Sequence, residues 1–119
     1  MIVGQEPWAP STVGWLARLL RRRRVPVAHA AEAFHHEAEE AMATIDLSDL
    51  LDNETSTSGE ESLMLALKAD AALAEIDDAL ERIEAGTYGY CEICHRRIPL
   101  KRLRALPVAR VCLDCHLSA

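Results

Sequence analysis

Two Cys-x-x-Cys pairs constrain the fold of this chain more than any other feature of its sequence. Cys91 and Cys94 form the first pair, Cys112 and Cys115 form the second, and 17 residues separate the pairs. Two such pairs can bring four sulfur atoms to one ion in a tetrahedral arrangement, each about 2.3 Å from the metal. Because four thiolates fill every position around zinc, the spacing predicts one structural Zn²⁺ that is closed to water.

Other cysteine chemistries fit the sequence less well. A thioredoxin-like redox pair needs a strand-helix-strand context that is missing from the pattern. Disulfides are disfavoured in the cytoplasm, where we expect the protein because residues 1–10 do not resemble a signal peptide. His95 and His116 each follow the second cysteine of a pair, and we expect them at exposed positions that tolerate positive φ rather than as ligands. Redox sensing through zinc release stays an alternative.

The composition favours packed helices over a compact core of large side chains. Leu, Ile, Val and Phe together number 29 of 119 residues, alanine alone accounts for 19, and there are only five aromatic residues. Alanine favours helix and buries little area. The longest apolar stretch is too short to span a bilayer, so we expect no membrane association.

Apolar residues recur at alternating steps of four and three in two segments, which is the pattern of a coiled coil. The first series is Val27, Ala31, Phe34, Ala38, Ala41 and Ile45, and the second is Ala66, Ala69, Leu73, Ile76, Leu80 and Ile83. Pro26 suits the first turn of one helix, residues 58–61 have the form of a capping box before the other, and Gly86 suits its end. The connection over 47–57 is short and polar, so the helices should be antiparallel.

The sequence thus predicts a mainly α fold, in which an antiparallel two-helix coiled-coil hairpin precedes a small four-cysteine zinc-finger module. We expect three regions: an amphipathic helix with an arginine run in 1–25, the hairpin in 26–86 with an acidic tip near 46–61, and the zinc module in 87–119. Trp8 and Trp15 should pack at the base of the hairpin.

The formal net charge of −6 is unevenly distributed. Residues 32–84 carry 16 acidic side chains against two basic ones, whereas the rest of the chain carries 11 basic against three acidic. An acidic stretch suits a basic protein surface, and basic ends suit nucleic acid or an acidic partner. Candidate partner-binding residues are therefore Asp46, Asp49, Asp52 and Glu54 at the tip, and Arg21, Arg22, Arg23, Arg24 and Arg102 in the basic parts.

The residues that flank the cysteines resemble the DksA/TraR family of bacterial transcription regulators. The matching stretches are Ala79-Leu80-Glu81-Arg82-Ile83, Gly86-Thr87-Tyr88-Gly89-Tyr90-Cys91-Glu92-x-Cys94, Ile98-Pro99, Arg102-Leu103-x-Ala105-x-Pro107 and Cys112-x-x-Cys115. The resemblance implies a non-enzymatic regulator that inserts its coiled coil into the secondary channel of RNA polymerase, with the zinc module at the rim. It also implies a possible response to guanosine tetraphosphate, for which no residue of this sequence is assigned.

Two features depart from the family pattern. The family's tip reads Asp-x-x-Asp-x-Ala, whereas Asp46 and Asp49, or Asp49 and Asp52, are here followed by no alanine at the matching position. Members often continue into a longer C-terminal helix, and we expect the Trp-bearing helix to pack there in its place. A second function class stays open, a zinc-ribbon adaptor that binds nucleic acid or another protein through its basic ends and uses the hairpin to dimerise.

Overall fold

The computed structural model describes residues 8–43 and 57–118 as a mainly helical chain. Within those ranges the only extended pairing is an isolated antiparallel bridge between Tyr90 and Arg97. The elements in chain order are α1 (Pro10–Ala43), α2 (Thr57–Ala85), α3 (Leu100–Ala105) and α4 (Leu113–Ser118). None of these described helices is long and apolar enough to cross a membrane.

Helix α1 continues through the point where the sequence predicted a break. It contains 34 residues with Pro26 in its interior, so the prediction of one helix ending at Arg24 and another beginning at Pro26 is wrong. Proline lacks an N–H and costs about 3 kcal/mol inside a helix. Good helix formers on both sides, together with buried residues such as Leu20 and Ala31, offset that cost. The arginine run therefore lies inside a helix and not at its end.

Helix α2 begins earlier than the sequence predicted. Its first residue is Thr57, so the proposed capping box over 58–61 lies within the helix and does not mark its start. The C-terminal prediction is confirmed, because the helix ends at Ala85 and Gly86 follows with a φ of 79°. Most of the acidic tip predicted near 46–61 lies outside the described residues, which resume at Thr57 as the start of α2.

The chain forms two compact units. The zinc unit comprises Met1–Arg23 and Glu75–Ala119, of which 8–23 and 75–118 are described. The hairpin unit comprises Arg24–Ala74, of which 24–43 and 57–74 are described.

Within the hairpin unit, α1 and α2 are antiparallel. His35 Nε2 lies 2.7 Å from Asp70 Oδ2, and Ser62 Oγ donates a hydrogen bond of 3.3 Å to Glu37. A Cβ on Gly59 would lie 3.1 Å from that of Ala41. As residue numbers rise along α1 their partners fall along α2, which confirms the predicted direction of the hairpin.

The two predicted seams are confirmed wherever the structure describes them. All their residues apart from Ile45, which lies outside the described ranges, are buried or half-buried. Ala31, Ala38 and Ala66 are at most 5% exposed. Small side chains at these positions permit close approach of the helices, but each layer buries little apolar area. The zinc unit has larger fully buried residues, among them Leu16, Leu20, Ile98 and Leu103.

Placing an amide in the alanine seam should destabilise the hairpin unit. We expect Ala66→Gln to lower the free energy of unfolding by about 1–3 kcal/mol, because its larger polar side chain enters a fully buried position. The exposed Ala71 of the same helix supplies the matched variant, Ala71→Gln, which should change stability by less than about 0.5 kcal/mol. Denaturation followed by circular dichroism measures both, and equal effects would contradict the seam assignment.

Candidate metal centre

The four cysteine thiols converge on one point in the zinc unit. Their Sγ atoms all lie within 4.8 Å of one another, and Cys94 Sγ is 3.8 Å from Cys112 Sγ. Four sulfurs placed tetrahedrally at about 2.3 Å from a zinc ion would be about 3.8 Å apart. Among residues 8–43 and 57–118 this is the one cluster of His, Cys, Asp and Glu that could hold a metal. The donor set fits a single structural Zn²⁺.

The first pair lies in a short loop closed by backbone hydrogen bonds. Cys91 N–H donates to Arg96 C=O at 2.8 Å, and His95 N–H donates to Cys91 C=O at 2.9 Å. The bridge between Tyr90 and Arg97 closes the open end of this loop. His95 has a φ of 62°, so the predicted left-handed conformation at this position is confirmed.

The second pair uses the first turn of a helix instead of a loop. Cys112 immediately precedes α4, Cys115 lies within it, and His116 N–H donates to Cys112 C=O at 3.0 Å. His116 is therefore helical, and the prediction of positive φ there is wrong, because the following residues continue the helix. A backbone hydrogen bond from Glu92 N–H to Arg110 C=O, 2.9 Å long, joins the segments that carry the two cysteine pairs.

Without a metal, the thiols of Cys91 and Cys115 differ in how readily they lose a proton. Burial opposes ionisation of Cys91, but hydrogen bonds from backbone N–H groups, chiefly those of Cys94 and Cys112, lower its pKa to about 6. The pKa of Cys115 is raised to about 12, first by its hydrogen bond to Cys112 and then by burial and by the other thiols. The cluster thus favours ionisation of Cys91 but opposes ionisation of Cys115. A divalent cation bound between the thiols would stabilise both as thiolates.

Arg82 connects the last turn of α2 to the loop before the second cysteine pair. Its guanidinium donates to Asp78 at 3.0 Å and to the backbone carbonyls of Ala109 and Val108 at 3.3 Å each. Arg110 also reaches Asp78, at 2.8 Å. The Arg82 side chain is only 12% exposed, so these charge-assisted bonds are shielded from water.

Tyr88 also binds the loop that precedes the second cysteine pair. Its hydroxyl donates a 2.8 Å hydrogen bond to Pro107 C=O. Burial raises the pKa of Tyr88 to about 12, while the nearby Arg82 acts in the opposite direction. The phenol therefore stays neutral and a donor at physiological pH.

The sequence predicted that both tryptophans pack at the base of the hairpin, and in the structure both lie beside residues of the zinc module, Trp15 with 44% of its surface exposed. Trp8 Nε1 donates to Gly89 C=O at 3.2 Å, and the Arg97 guanidinium lies 3.8 Å from the Trp8 ring. Gly89 has a φ of 86°, and a Cβ there would collide with the Trp8 ring. The Arg104 guanidinium lies 5.8 Å from the Trp15 ring. Sequence reasoning did not find the roles of Gly89, Arg97 and Arg104.

The predicted partner-binding residues have different positions in the structure. Asp46, Asp49, Asp52 and Glu54 lie outside the described residues. Arg21, Arg22, Arg23 and Arg24 are exposed on α1. Arg102 is half-buried, and its Nε donates to Val111 C=O at 3.0 Å, so the structure gives it a part in holding the loop next to Cys112.

Comparisons with known proteins agree with this geometry. The model of the prokaryotic dksA/traR C4-type zinc finger matches residues 86–118. An RNA polymerase-binding transcription factor DksA of Caulobacter vibrioides is 32% identical over 111 residues, which cover 93% of this chain and 72% of that protein. The chain belongs to the DksA/TraR family. The similarity to that relative includes the helical hairpin as well as the zinc module.

Two further proteins differ in how much of their length the chain matches. Transcription factor DksA2 from Pseudomonas aeruginosa has a solved structure that superposes with a TM-score of 0.80 at 27% identity, covering 92% of this chain and 83% of that one. An uncharacterized protein of Aquifex aeolicus is 58% identical, but over 45 residues that make up 38% of this chain and 31% of that protein.

The cysteine cluster gives a prediction about metal content. We expect one zinc per chain by elemental analysis and loss of that zinc in Cys112→Ala, because three thiols leave the tetrahedron open. Chelation should also remove the near-ultraviolet circular dichroism signal of the zinc unit, since metal binding and folding are coupled in small zinc modules. His95→Asn is the matched control, because asparagine tolerates positive φ and should retain the metal. Zinc loss in this control would show that His95 is a ligand.

Two glycine substitutions should change the stability of the protein in opposite directions. We expect Gly89→Ala to destabilise the zinc unit by about 1–3 kcal/mol, because its φ is positive and Trp8 occupies the space of the methyl group. Gly14→Ala in α1 should instead stabilise by up to about 1 kcal/mol, since a Cβ there meets nothing within 4 Å. Thermal unfolding of the zinc-loaded variants measures both, and a neutral Gly89→Ala would contradict the Trp8 contact.

Proposed function

We propose that this chain is a non-enzymatic transcription regulator that binds RNA polymerase. The observation that carries the proposal is the 32% identity over 111 residues to a protein named for polymerase binding, because that match includes both the hairpin and the zinc module. The Pseudomonas transcription factor with the same fold supports it. We expect the protein to act in the cytoplasm, where a bacterial polymerase works.

The acidic hairpin is the part that we propose enters the polymerase. Residues 32–84 carry 16 acidic and two basic side chains, so the hairpin presents a negative potential to any basic channel. Asp46, Asp49, Asp52 and Glu54 would be the residues nearest the catalytic centre when the hairpin inserts into the secondary channel. The missing alanine of the family pattern makes their action at that centre a separate question from docking.

The zinc module would stay at the rim of the channel and act through structure. We propose that Cys91, Cys94, Cys112 and Cys115 all bind the one zinc ion and leave no position for water or substrate. The metal then supplies rigidity and no chemistry. Arg82 and Tyr88 would transmit that rigidity to the end of α2 through their bonds to the loop over 107–109.

The alternative of a zinc-ribbon adaptor is less well supported. In that interpretation the hairpin would serve only for dimerisation, whereas the relatives that share both hairpin and zinc module are named as transcription factors. The family comparisons therefore favour the polymerase regulator.

Co-purification with the polymerase core enzyme tests the proposal. We expect the zinc-loaded protein to associate with the core and to lose that association after chelation, because the metal fixes the module at the rim. Reversing Asp49, Asp52 and Glu54 to Lys should change initiation in a reconstituted transcription assay. None of the three is among the four cysteines proposed to bind zinc, so zinc content should stay at one per chain.

The control places the same charge change elsewhere on the hairpin helices. Glu75, Glu81 and Glu84 are exposed on α2, and reversing these three to Lys should affect initiation less than reversal at the tip. Failure of the zinc-loaded chain to associate with the core would overturn the proposal. Equal effects of the two triple variants would leave polymerase binding in place but would refute the role of the tip.

A further inference from the structure

The zinc unit carries an exposed aromatic ring surrounded by cations. Trp15 is 44% exposed, whereas the neighbouring Leu16 and Leu20 of the same helix are fully buried. It lies on α1, and the Arg104 guanidinium of α3 is 5.8 Å from its ring. The indole therefore presents apolar area to solvent next to a positive charge.

Two grooves share Trp15 as a wall. One, of about 200 Å³, is lined by Trp15, Arg18, Leu19 and Arg22. The other, of about 270 Å³, is lined by Ser11, Thr12, Trp15, Leu100 and Arg104. Neither groove has an acidic lining residue within the described part of the chain.

Two of the arginines of these grooves form a row with Trp15 along α1. Trp15, Arg18 and Arg22 follow one face of α1 at steps of three and four, and the row spans about 10 Å along the helix axis. Arg18, Arg22 and Arg104 are exposed and make no ion pair with a carboxylate among residues 8–43 and 57–118. No carboxylate of those described residues neutralises their charges.

We propose that Trp15, Arg18, Arg22 and Arg104, here called the Trp15 surface, bind single-stranded nucleic acid without sequence preference. Arginine forks pair with phosphate oxygens, and an exposed aromatic ring stacks on an unpaired base of any identity. An acidic protein segment would satisfy the arginines but would leave the Trp15 ring without a stacking partner. Paired bases in a duplex are likewise unable to stack on it. This activity is separate from polymerase binding and does not rest on it.

Fluorescence anisotropy with a labelled oligothymidylate of about 12 nucleotides, a usual length for single-strand sites, tests the proposal on the zinc-loaded full chain. Three phosphate contacts predict a slope of log affinity against log salt of about −2. Trp15→Leu, which keeps an apolar side chain for packing, should weaken binding about fivefold or more through lost stacking.

Arg22→Gln and Arg23→Gln form the matched pair. They remove the same charge from adjacent residues, but Arg22 lines a groove and Arg23 lines neither. Arg22→Gln should reduce the salt slope by about 0.7, and Arg23→Gln should leave it unchanged. Zinc content and thermal unfolding verify the fold of each variant, and the arginine pair keeps the test decisive if Trp15→Leu fails to fold.

Four results would overturn the proposal. They are absence of oligothymidylate binding at low salt, equal effects of the two arginine variants, equally tight binding of a duplex of the same length, and displacement by polyglutamate at equal charge concentration. The last two would assign the surface to a duplex or to an acidic protein. None involves polymerase, so failure here leaves the proposed regulator role untouched.

Discussion

Four sulfur atoms within 4.8 Å of one another cannot all be negatively charged unless a cation lies between them. That constraint governs the zinc unit, because its two shortest helices, α3 and α4, have six residues each and are far below the length at which a helix is stable alone. A zinc ion held by the four thiols would join a loop at Cys91 to a helix turn at Cys115, and the bond from Glu92 to Arg110 ties the same two segments. The local structure therefore follows from the clamp, and not the reverse.

The zinc module can position the long helices only if it is attached to them. Arg82 provides that attachment. Its guanidinium, in the last turn of α2, donates to the Asp78 carboxylate of the same helix and to the backbone carbonyls of Val108 and Ala109. A lysine could not reach all three acceptors, because it lacks the planar fork. Trp8 makes a second attachment, which depends on Gly89 having no side chain. Both contacts position the module by hydrogen bonds and close packing, in addition to the buried apolar residues of the zinc unit.

The sequence predicted those features that depend on spacing. Cysteine spacing reports directly on ligand geometry, and the alternation of three and four reports directly on the helical seam, so the metal centre and the hairpin were both predictable. The continuous helix through Pro26 was not, because tertiary packing overrode the local preference of proline. The Trp8 contact joins residues 81 positions apart, and no periodicity signals such a pair. Gly89 between two tyrosines was the only local indication, and it does not identify the ring that lies over it.

Two features lower the stability of the hairpin unit: weak apolar packing and repulsion among its own acidic charges. Its Arg24–Ala74 segment contains 11 acidic and two basic residues, while alanines at Ala31, Ala38 and Ala66 keep the buried area per layer small. Like charges in one compact element repel and lower its stability. A basic partner removes that repulsion, and a partner that binds only the folded hairpin stabilises it further by mass action. The same acidic charge that lowers the stability of the free hairpin therefore makes that stability depend on a basic partner, whereas the stability of the zinc unit depends on its metal.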